Sequence, residues 1–379
     1  MHIVRAICFV VTTPFAVNAF LLTHMKALVD CCPVTLCVNR SLYPLSDDID
    51  PRIRVVDFPI AREISLFKDL RAFLFFVSWF RAEQVAAVHS ITPKAGLLAM
   101  LAACLAGIRL RHHTFTGQVW ATKSGMARVL LKACDRVIVS AASQVFADSP
   151  SQCRFLEKEN VVKSGGVSVL GPGSIAGVDM DRFHPDAKVR QRLRAELNSP
   201  EDLCVFLFMG RLTRDKGIFD LIEAFAAVVA ANPRVELWLV GPDEERLQEQ
   251  LEPQSRRGTG RVRWFGQTSQ PECYMAGADV LVLPSYREGF GSVVIEAAAC
   301  AVPTVAYRID GVIDAVVEER TGVLVERHNV DAFAAAMVAL SLDTERRDRL
   351  GRQALDRVAK EFSGPAVTAE WVKLYERVL

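Results

Sequence analysis

Apolar residues in this chain come in short uninterrupted runs, separated by longer stretches in which they recur with the period of a helix. The runs predict strands at Ile3–Val11, Val34–Val38, Ile53–Asp57, Val85–His89, Arg109–Thr116, Arg136–Val139, Gln144–Asp148 and Ser168–Gly171. Between them the helical period appears at Ala19–Val29, Leu66–Trp79, Ala95–Ala106, Met126–Cys134 and Ser151–Glu159. After residue 200 the rhythm restarts. Strands are predicted at Leu203–Met209, Val235–Val240, Val262–Phe265, Val280–Leu283, Thr304–Tyr307 and Val323–Val325. Helices are predicted at Gly217–Ala230, Glu244–Leu251, Pro271–Ala276, Ser292–Ala299 and Val330–Leu340. Strand, helix, strand at this spacing predicts parallel sheets covered on both faces, since parallel neighbours need a crossover. A Gly/Pro-rich stretch, Gly171-Pro172-Gly173-Ser174-Ile175-Ala176-Gly177, separates the halves and suits a hinge or a ligand-facing loop. Residues 344–379 read as amphipathic helix, interrupted near Ser363-Gly364-Pro365 and expected to pack across both halves. The predicted architecture is α/β, with two Rossmann-like, doubly wound parallel-sheet domains facing a cleft. They span 1–172 and 173–360, and a C-terminal helix at 361–379 returns across them. Ligands of such sheets bind outside the carboxyl ends of the strands.

A length of 379 residues is ample for two domains. With 51% hydrophobic and 23% charged residues the chain has a large core and is not disordered. Its net charge of +1 makes no general case for nucleic acid, but the charge is unevenly spread. Residues 1–180 carry 19 Lys+Arg against 13 Asp+Glu, and the remainder 26 against 31. The stretch 58–136 alone holds eleven basic and four acidic residues. Such a segment fits a face that meets anionic lipid head groups or an anionic substrate, and equally a solvated basic surface. Ten cysteines form no C-x-x-C, and Cys8, Cys204 and Cys300 sit in apolar runs, where a thiol acts as a small hydrophobe. That pattern points to a reducing, cytoplasmic setting. Arg5 and Ala16-Val17-Asn18-Ala19 give the N-terminus some features of a signal peptide. The same residues read as a buried strand followed by a helix, and that reading is preferred. Leu70–Phe80 and Ala95–Ile108 are too short to span a bilayer, so membrane contact is expected to be peripheral at most.

Two constellations carry the chemistry. Met209-Gly210-Arg211-Leu212-Thr213-Arg214-Asp215-Lys216-Gly217 follows an apolar strand and opens a helix. Arg211 leaves at the strand's carboxyl end, and Lys216 is expected in the helix's first turn, so two cations lie beside helix N–H groups as a diphosphate requires. The second is Arg287-Glu288-Gly289-Phe290-Gly291-Ser292-Val293-Val294-Ile295-Glu296-Ala297. Its glycines expose backbone N–H groups at a helix start, Ser292 is a candidate cap, and the dipole there favours an anion. Glu296 stands one turn inside an otherwise apolar helix, where a carboxylate is costly without a partner, and a ribose diol would supply one. Glu288, ahead of the helix, can reach a different part of the same ligand. The bland alternatives are a surface-exposed Glu288 and a salt-bridged Glu296.

Together, G-R-L-x-x-x-K-G followed by E-G-F-G-x-x-x-x-E resembles glycosyltransferase family 4, a retaining family of the GT-B fold. Leu239-Val240-Gly241, Val262-Arg263-Trp264-Phe265-Gly266, Ala278-Asp279-Val280, Ala301-Val302-Pro303-Thr304-Val305-Ala306 and Gly322-Val323-Leu324-Val325 extend the likeness over residues 200–340. The resemblance implies that Arg211 and Lys216 bind the donor diphosphate and that Glu296 binds the ribose. It places Glu288 at the transferred sugar, with the amides of Gly289, Phe290 and Gly291 beside sugar and phosphates. It implies no metal or other cofactor, because the cations and the helix end supply the charge. Asp179-Met180-Asp181 is then a loop rather than a metal site.

The first half resembles, less sharply, family members that build bacterial capsule and O-antigen polysaccharides. The loops His89-Ser90-Ile91-Thr92-Pro93-Lys94-Ala95-Gly96 and His113-Thr114-Phe115-Thr116-Gly117-Gln118 look like their acceptor-side loops, and Ala147-Asp148-Ser149 and Gly173-Ser174 to Asp179 have the same flavour. Two departures stand out. Thr12-Thr13-Pro14-Phe15-Ala16 replaces a common Gly-Gly turn, and the His that many relatives carry after T-x is here Thr116, with His113 just before. Whether His113 or Thr116 meets the donor sugar is open, and His89 and His113 also read as satisfied strand-end histidines. The family suggests front-face attack rather than a covalent intermediate, with Glu288 positioning the sugar. It suggests a UDP-linked donor, an N-acetylhexosamine or deoxy relative, and an undecaprenyl-diphosphate-linked acceptor at the cytoplasmic face of the inner membrane. Arg62, Phe67, Lys68, Arg71, Phe75, Phe76, Trp79 and Arg81 would suit that interface, or form a buried helix with basic flanks. The alternatives are a GT-B nucleotide-sugar epimerase, which would lack E-G-F-G, and an inactive sugar-nucleotide-binding scaffold. A nicotinamide enzyme is disfavoured because neither half has G-x-G-x-x-G after its first strand.

Overall fold

The computed structural model describes residues 6–61, 65–83, 85–255 and 261–377, so Arg62 and the expected strand start at Ile3 lie outside the described residues. The chain divides into two compact units, Met1–Gly177 with Gly364–Leu379, and Val178–Ser363.

The sheet of the first unit contains β1 Ala6–Val10, β2 Val34–Val38, β3 Arg54–Asp57, β4 Val85–Ser90, β5 Leu110–Phe115, β6 Gln144–Ala147 and β7 Ser168–Val169. They run parallel in the order β3-β2-β1-β4-β5-β6-β7. Nearly every residue of β1 and β2 is buried, as expected for strands covered on both faces. Helices Leu66–Ala82, Pro93–Leu105 and Gly125–Ala141 cover one side through Phe76, Phe80, Ala99 and Ile138. Helices Pro14–Phe20, Leu22–Leu28 and Gly364–Glu376 cover the other, through Val17, Met25, Trp371 and Tyr375.

Two expectations are corrected here. Arg136–Val139 is not a strand but the last turns of helix Gly125–Ala141, in which Asp135, Ile138 and Ala141 recur at helical spacing on the buried side. The expected helix Ala19–Val29 is two short helices, and the first begins earlier, with Pro14 in its opening turn.

The second unit's sheet contains β8 Cys204–Met209, β9 Val235–Val240, β10 Arg261–Phe265, β11 Val280–Leu283, β12 Thr304–Tyr307 and β13 Gly322–Val325. These are parallel in the order β10-β9-β8-β11-β12-β13. Helix Ala187–Glu196 was not anticipated, because its composition is charged rather than amphipathic. It is held by arginines. Buried Arg194 reaches Asp279 Oδ2 at 2.6 Å and donates to Gly277 O at 2.9 Å, while Arg190 reaches Asp279 Oδ1 at 2.9 Å. Asp279 Oδ2 also accepts from Val205 N–H at 2.7 Å, so the network ties this helix to the sheet. The final helical stretch breaks between Thr344–Glu361 and Gly364–Glu376, and the second helix belongs to the first unit.

Strand order reverses between β1 and β4 in one unit and between β8 and β11 in the other. A crevice opens at such a switch point because the flanking crossovers go to opposite faces. In the second unit the loops leaving it are residues 210–217 and 284–291, the two constellations of the sequence.

Candidate active site

The two loops of the second unit are fastened to each other through backbone first. Gly217 has φ 71°, and a Cβ there would lie 2.0 Å from the carbonyl oxygen of Pro284, at the end of β11. Only a residue without a side chain lets the loops close to this distance. Tyr286 N–H then donates to Asp215 O at 2.9 Å. Residues Arg214–Lys216 form a single 3-10 turn, so Lys216 stands just ahead of helix Ile218–Ala231 and not in its first turn, as the sequence suggested.

Side chains complete the junction. Lys216 Nζ is 2.5 Å from Glu288 Oε1, with both groups largely buried. Arg287 Nη2 is 3.2 Å from Asp215 Oδ2, and Thr213 donates to Asp215 Oδ1 at 2.5 Å. Burial pushes the Asp215 carboxyl up, but the Thr213 hydroxyl and the charges of Arg287, Lys216 and Arg211 outweigh it and hold it below its ordinary value. Arg211 is more open and pairs with Glu244 at 2.9 Å. Both cations expected to meet a diphosphate therefore hold carboxylates, and an incoming diphosphate would have to take them over.

Helix Ser292–Ala299 starts from Gly291, which is left-handed at φ 81°. Ser292 is thus the first helical residue and makes no cap, contrary to the expectation. Phe290 is buried in the core. The loop after β12 closes from below: a Cβ on Gly311 would lie 2.4 Å from Gly289 O. Glu296 is surrounded by the apolar residues of its helix, and burial pushes its carboxyl up to about 7, only partly opposed by the charge of Arg182. Neither bland alternative describes the pair, since Glu288 is ion-paired and largely buried and Glu296 forms no salt bridge among the described residues.

Sequence reasoning assigned no role to several neighbours. Ser285 is fully buried, and its Oγ has no hydrogen-bond partner among the described residues, and the same holds for Nε of Arg287. Tyr286 and Tyr307 donate to the two oxygens of Asp220 at 2.8 and 2.7 Å, which fixes the segment carrying Arg287 and Glu288. Position at the carboxyl end of β11 was the available signal for Ser285 and Arg287.

In the first unit, His89 lies in the core, with Nδ1 2.7 Å from Tyr375 Oη and Nε2 2.8 Å from Thr114 Oγ1. His113 is also fully buried, 2.8 Å from Ser90 Oγ, and packs against Gly96, where a Cβ would lie 2.4 Å from its ring. Burial drives the imidazole of His89 well below its ordinary pKa and that of His113 to about 3, so both are neutral. Thr116 is half-buried just beyond β5. Lys94 pairs with Asp69 at 2.6 Å. Gly173 and Ser174 are buried in the connecting loop, where Ser174 N–H donates to Asp148 O at 2.8 Å. Asp179 is exposed at the start of the second unit and accepts from the N–H groups of Asp181 and Arg182, as a turn-former does.

This geometry can be set beside known proteins. Residues 189–357 match the family model described as glycosyl transferases group 1, and residues 16–173 match a glycosyl transferase 4-like domain. The capsular polysaccharide biosynthesis glycosyltransferase CapM of Staphylococcus aureus is 31% identical over 323 residues, covering 85% of this chain and 84% of that protein. Among solved structures, sucrose-phosphate synthase from Thermosynechococcus elongatus superposes with a TM-score of 0.83 at 23% identity, covering 99% of both chains. HepE of Anabaena in complex with UDP-glucose gives 0.79 at 19% identity, covering 98% of this chain and 99% of that one. Two parallel-sheet units, matches to both family models and similarity to CapM over most of the chain converge, and the chain belongs to the GT-B glycosyltransferases of family 4.

Proposed function

We propose that this protein is a retaining, metal-independent glycosyltransferase of surface-polysaccharide assembly. It transfers a sugar, an N-acetylhexosamine or deoxy relative, from a UDP-linked donor to an undecaprenyl-diphosphate-linked saccharide at the cytoplasmic face of the inner membrane. The observation that carries the reading is the junction of the two loops. Lys216, Glu288, Arg287 and Asp215 interlock at the switch point, and Glu296 waits nearby in a site that disfavours its charge. Similarity to CapM supports the polysaccharide setting, and HepE, crystallised with UDP-glucose, shares the fold.

In this reading Arg211 and Lys216 take the diphosphate, which releases Glu288 to the hydroxyls of the transferred sugar. The amides of Gly289, Phe290 and Gly291 line sugar and phosphate, and Glu296 accepts from the ribose diol. Fixed cations and the helix end that starts from Gly291 stabilise the leaving diphosphate without a metal. The acceptor hydroxyl attacks from the leaving-group side, with a diphosphate oxygen receiving its proton. Thr116, half-buried just beyond β5, is taken here as the donor-sugar contact in preference to His113, which is fully buried against Ser90 and Gly96. His89 and Lys94 then serve the acceptor side through position, and Gly173, Ser174 and Asp179 serve the connection.

A thermal-shift screen against UDP-, GDP-, dTDP- and ADP-sugars, with and without EDTA, tests this. Selective stabilisation by UDP-sugars that survives EDTA and disappears in Glu296→Ala is expected. Stabilisation by no nucleotide at millimolar concentration, or stabilisation that EDTA removes, would refute it.

A further inference from the structure

The first unit has a switch point of its own, and the loops around it are close to neutral. Those leaving β1, β4 and β5 are residues 11–14, 91–94 and 116–118. Their polar side chains are Thr12, Thr13, Thr92, Thr116 and Gln118, and their one charged residue, Lys94, is paired with Asp69 at 2.6 Å. Thr12 and Thr92 tie the loops after β1 and β4 together. Their hydroxyls are 2.7 Å apart, and Thr12 N–H donates to Thr92 Oγ1 at 3.2 Å. The corresponding loops of the second unit carry Arg211, Lys216 and Arg287 instead. A ligand held at the first rim is therefore recognised by hydroxyl and amide groups, and a saccharide, dense in hydroxyls, is the chemistry that fits.

Within that rim Gln118 is in an unusual position. It is 2% exposed, and neither its Oε1 nor its Nε2 has a hydrogen-bond partner among the described residues. No other described side chain is left with two such atoms. The backbone holds it there. Gly117 before it is left-handed at φ 87°, and Gln118 O accepts from Ala121 N–H at 3.0 Å as the 3-10 turn Val119–Thr122 begins. Trp120 anchors the turn, with Nε1 donating to Asp135 at 2.6 Å. A buried carboxamide without partners opposes folding, so its presence asks for a reason. Only a thin layer covers it, since Thr116 on one side is half-buried and Val119 on the other is 43% exposed. A carboxamide sets an acceptor and a two-proton donor side by side in one plane. Two neighbouring ring hydroxyls match it, one donating and the other accepting.

We propose that Gln118 is a specificity-determining residue that binds a vicinal hydroxyl pair of the acceptor saccharide. Oε1 accepts from one hydroxyl and Nε2 donates to the next, and rotation about the side chain's own torsions presents the amide at the rim. The empty protein tolerates the unpaired amide because the sugar satisfies it. The proposal rests on the reading above that the acceptor is a saccharide served by the first unit, and adds the residue and the groups it reads.

The test compares the full chain with Gln118→Met, which keeps length and shape and removes both polar atoms. Saturation-transfer NMR, in the presence of UDP, uses the methyl glycosides of glucose, galactose, mannose and N-acetylglucosamine as probes. At least one glycoside should receive saturation from the wild type, and the transfer should fall at least several-fold in Gln118→Met. The empty variant should melt higher than the wild type, a gain of stability with a loss of binding that a structural glutamine cannot produce. Its UDP-sugar thermal shift should stay as in the wild type, which also certifies folding. Absence of transfer to every glycoside, or transfer undiminished in Gln118→Met, overturns the proposal. A variant that melts lower overturns it too, because the amide is then already satisfied in the empty protein. Displacement of the glycoside by UDP-sugar but not by UDP would assign Gln118 to the donor sugar and end the acceptor assignment. A wild type that binds the glycoside through Gln118 but shows no UDP-sugar shift would instead sink the donor reading and leave the saccharide site standing.

Discussion

Glu296 shows at the scale of one residue how a binding site is kept ready at a cost to the empty protein. Its carboxyl titrates near 7 in the fold, against 4.5 as the ordinary value, because burial penalises the charge. An acid raised in this way contributes fully below pH 4.5, and its stability is lost as pH rises through the folded value. The penalty levels off above pH 7 at about 3 kcal/mol. Glu296→Gln removes the charge and keeps the shape, so the empty variant should unfold later than the wild type at about pH 8 and match it at about pH 4.5, as read by urea denaturation. The same variant should bind the UDP-sugar at least about tenfold more weakly, since a carboxylate accepts from a diol more strongly than an amide oxygen does. Donor hydroxyls favour the ionised form, so wild-type affinity should tighten as pH rises towards 7, and calorimetry should record proton release on binding. An affinity flat across that window would take Glu296 out of the donor site. Lys216 complements it: Lys216→Ala removes the cation paired with the largely buried Glu288. A donor affinity unchanged in that variant would mean that Lys216 serves only the ion pair.

Between elements, the decisive contacts are made by backbone, and they respond to substitutions that leave every charge in place. Gly217→Ala pushes a methyl group into the Pro284 carbonyl and demands a left-handed alanine, at an expected cost of about 3 kcal/mol from clash and strain together. Gly107→Ala is the control. Its φ is 77°, but nothing lies within 4 Å, so only the conformational cost of about 1 kcal/mol applies. Thermal unfolding should rank the two, and only Gly217→Ala should lose the donor-induced shift, because only it parts the loops after β8 and β11. Such contacts explain what the sequence could and could not tell. Strands such as Val34–Val38, Val235–Val240, Val280–Leu283 and Thr304–Tyr307 were legible to the residue, because buried parallel strands are written as apolar runs bounded by turn residues. Arg136–Val139 misled because a short apolar run inside a helix has no period of its own. Helix Ala187–Glu196 was invisible because its anchors, Arg190 and Arg194, look like surface residues until Asp279 is placed beside them. In the site, Lys216 and Glu288 were legible as motif residues, but their ion pair was not, since it joins positions that only the β8–β11 pairing brings together.

For the whole molecule, the two units carry opposite responses to acid. Four histidines, His24, His89, His112 and His113, are buried in the first unit. His24 donates from Nε2 to Ile175 O at 2.7 Å, lies 2.8 Å from Thr368 Oγ1 through Nδ1 and stacks on Trp371, while His89 bonds Tyr375, so one ties helix Gly364–Glu376 to helix Leu22–Leu28 and the other ties it to strand β4. Burial lowers His24 and His112 to about 4, so each stays neutral in the fold while its unfolded counterpart takes a proton near 6.5. Their contribution is complete above pH 6.5 and is lost as pH falls, by about 2 kcal/mol each at about pH 5. Asp135, which burial raises to about 6 against the Trp120 hydrogen bond, works the other way and returns part of that loss. In the second unit Glu296 gains about 2 kcal/mol over the same descent from about pH 7.5. Scanning calorimetry at the two pH values should therefore show one transition moving down and another moving up as the solution is acidified. UDP-sugar assigns the second, because it should raise that transition selectively, and Glu296→Gln should abolish its upward movement on acidification. If both transitions fall together on acidification and Glu296→Gln changes neither, Glu296 is not held near neutrality, and the account of the donor site as a strained carboxylate awaiting a diol fails with it.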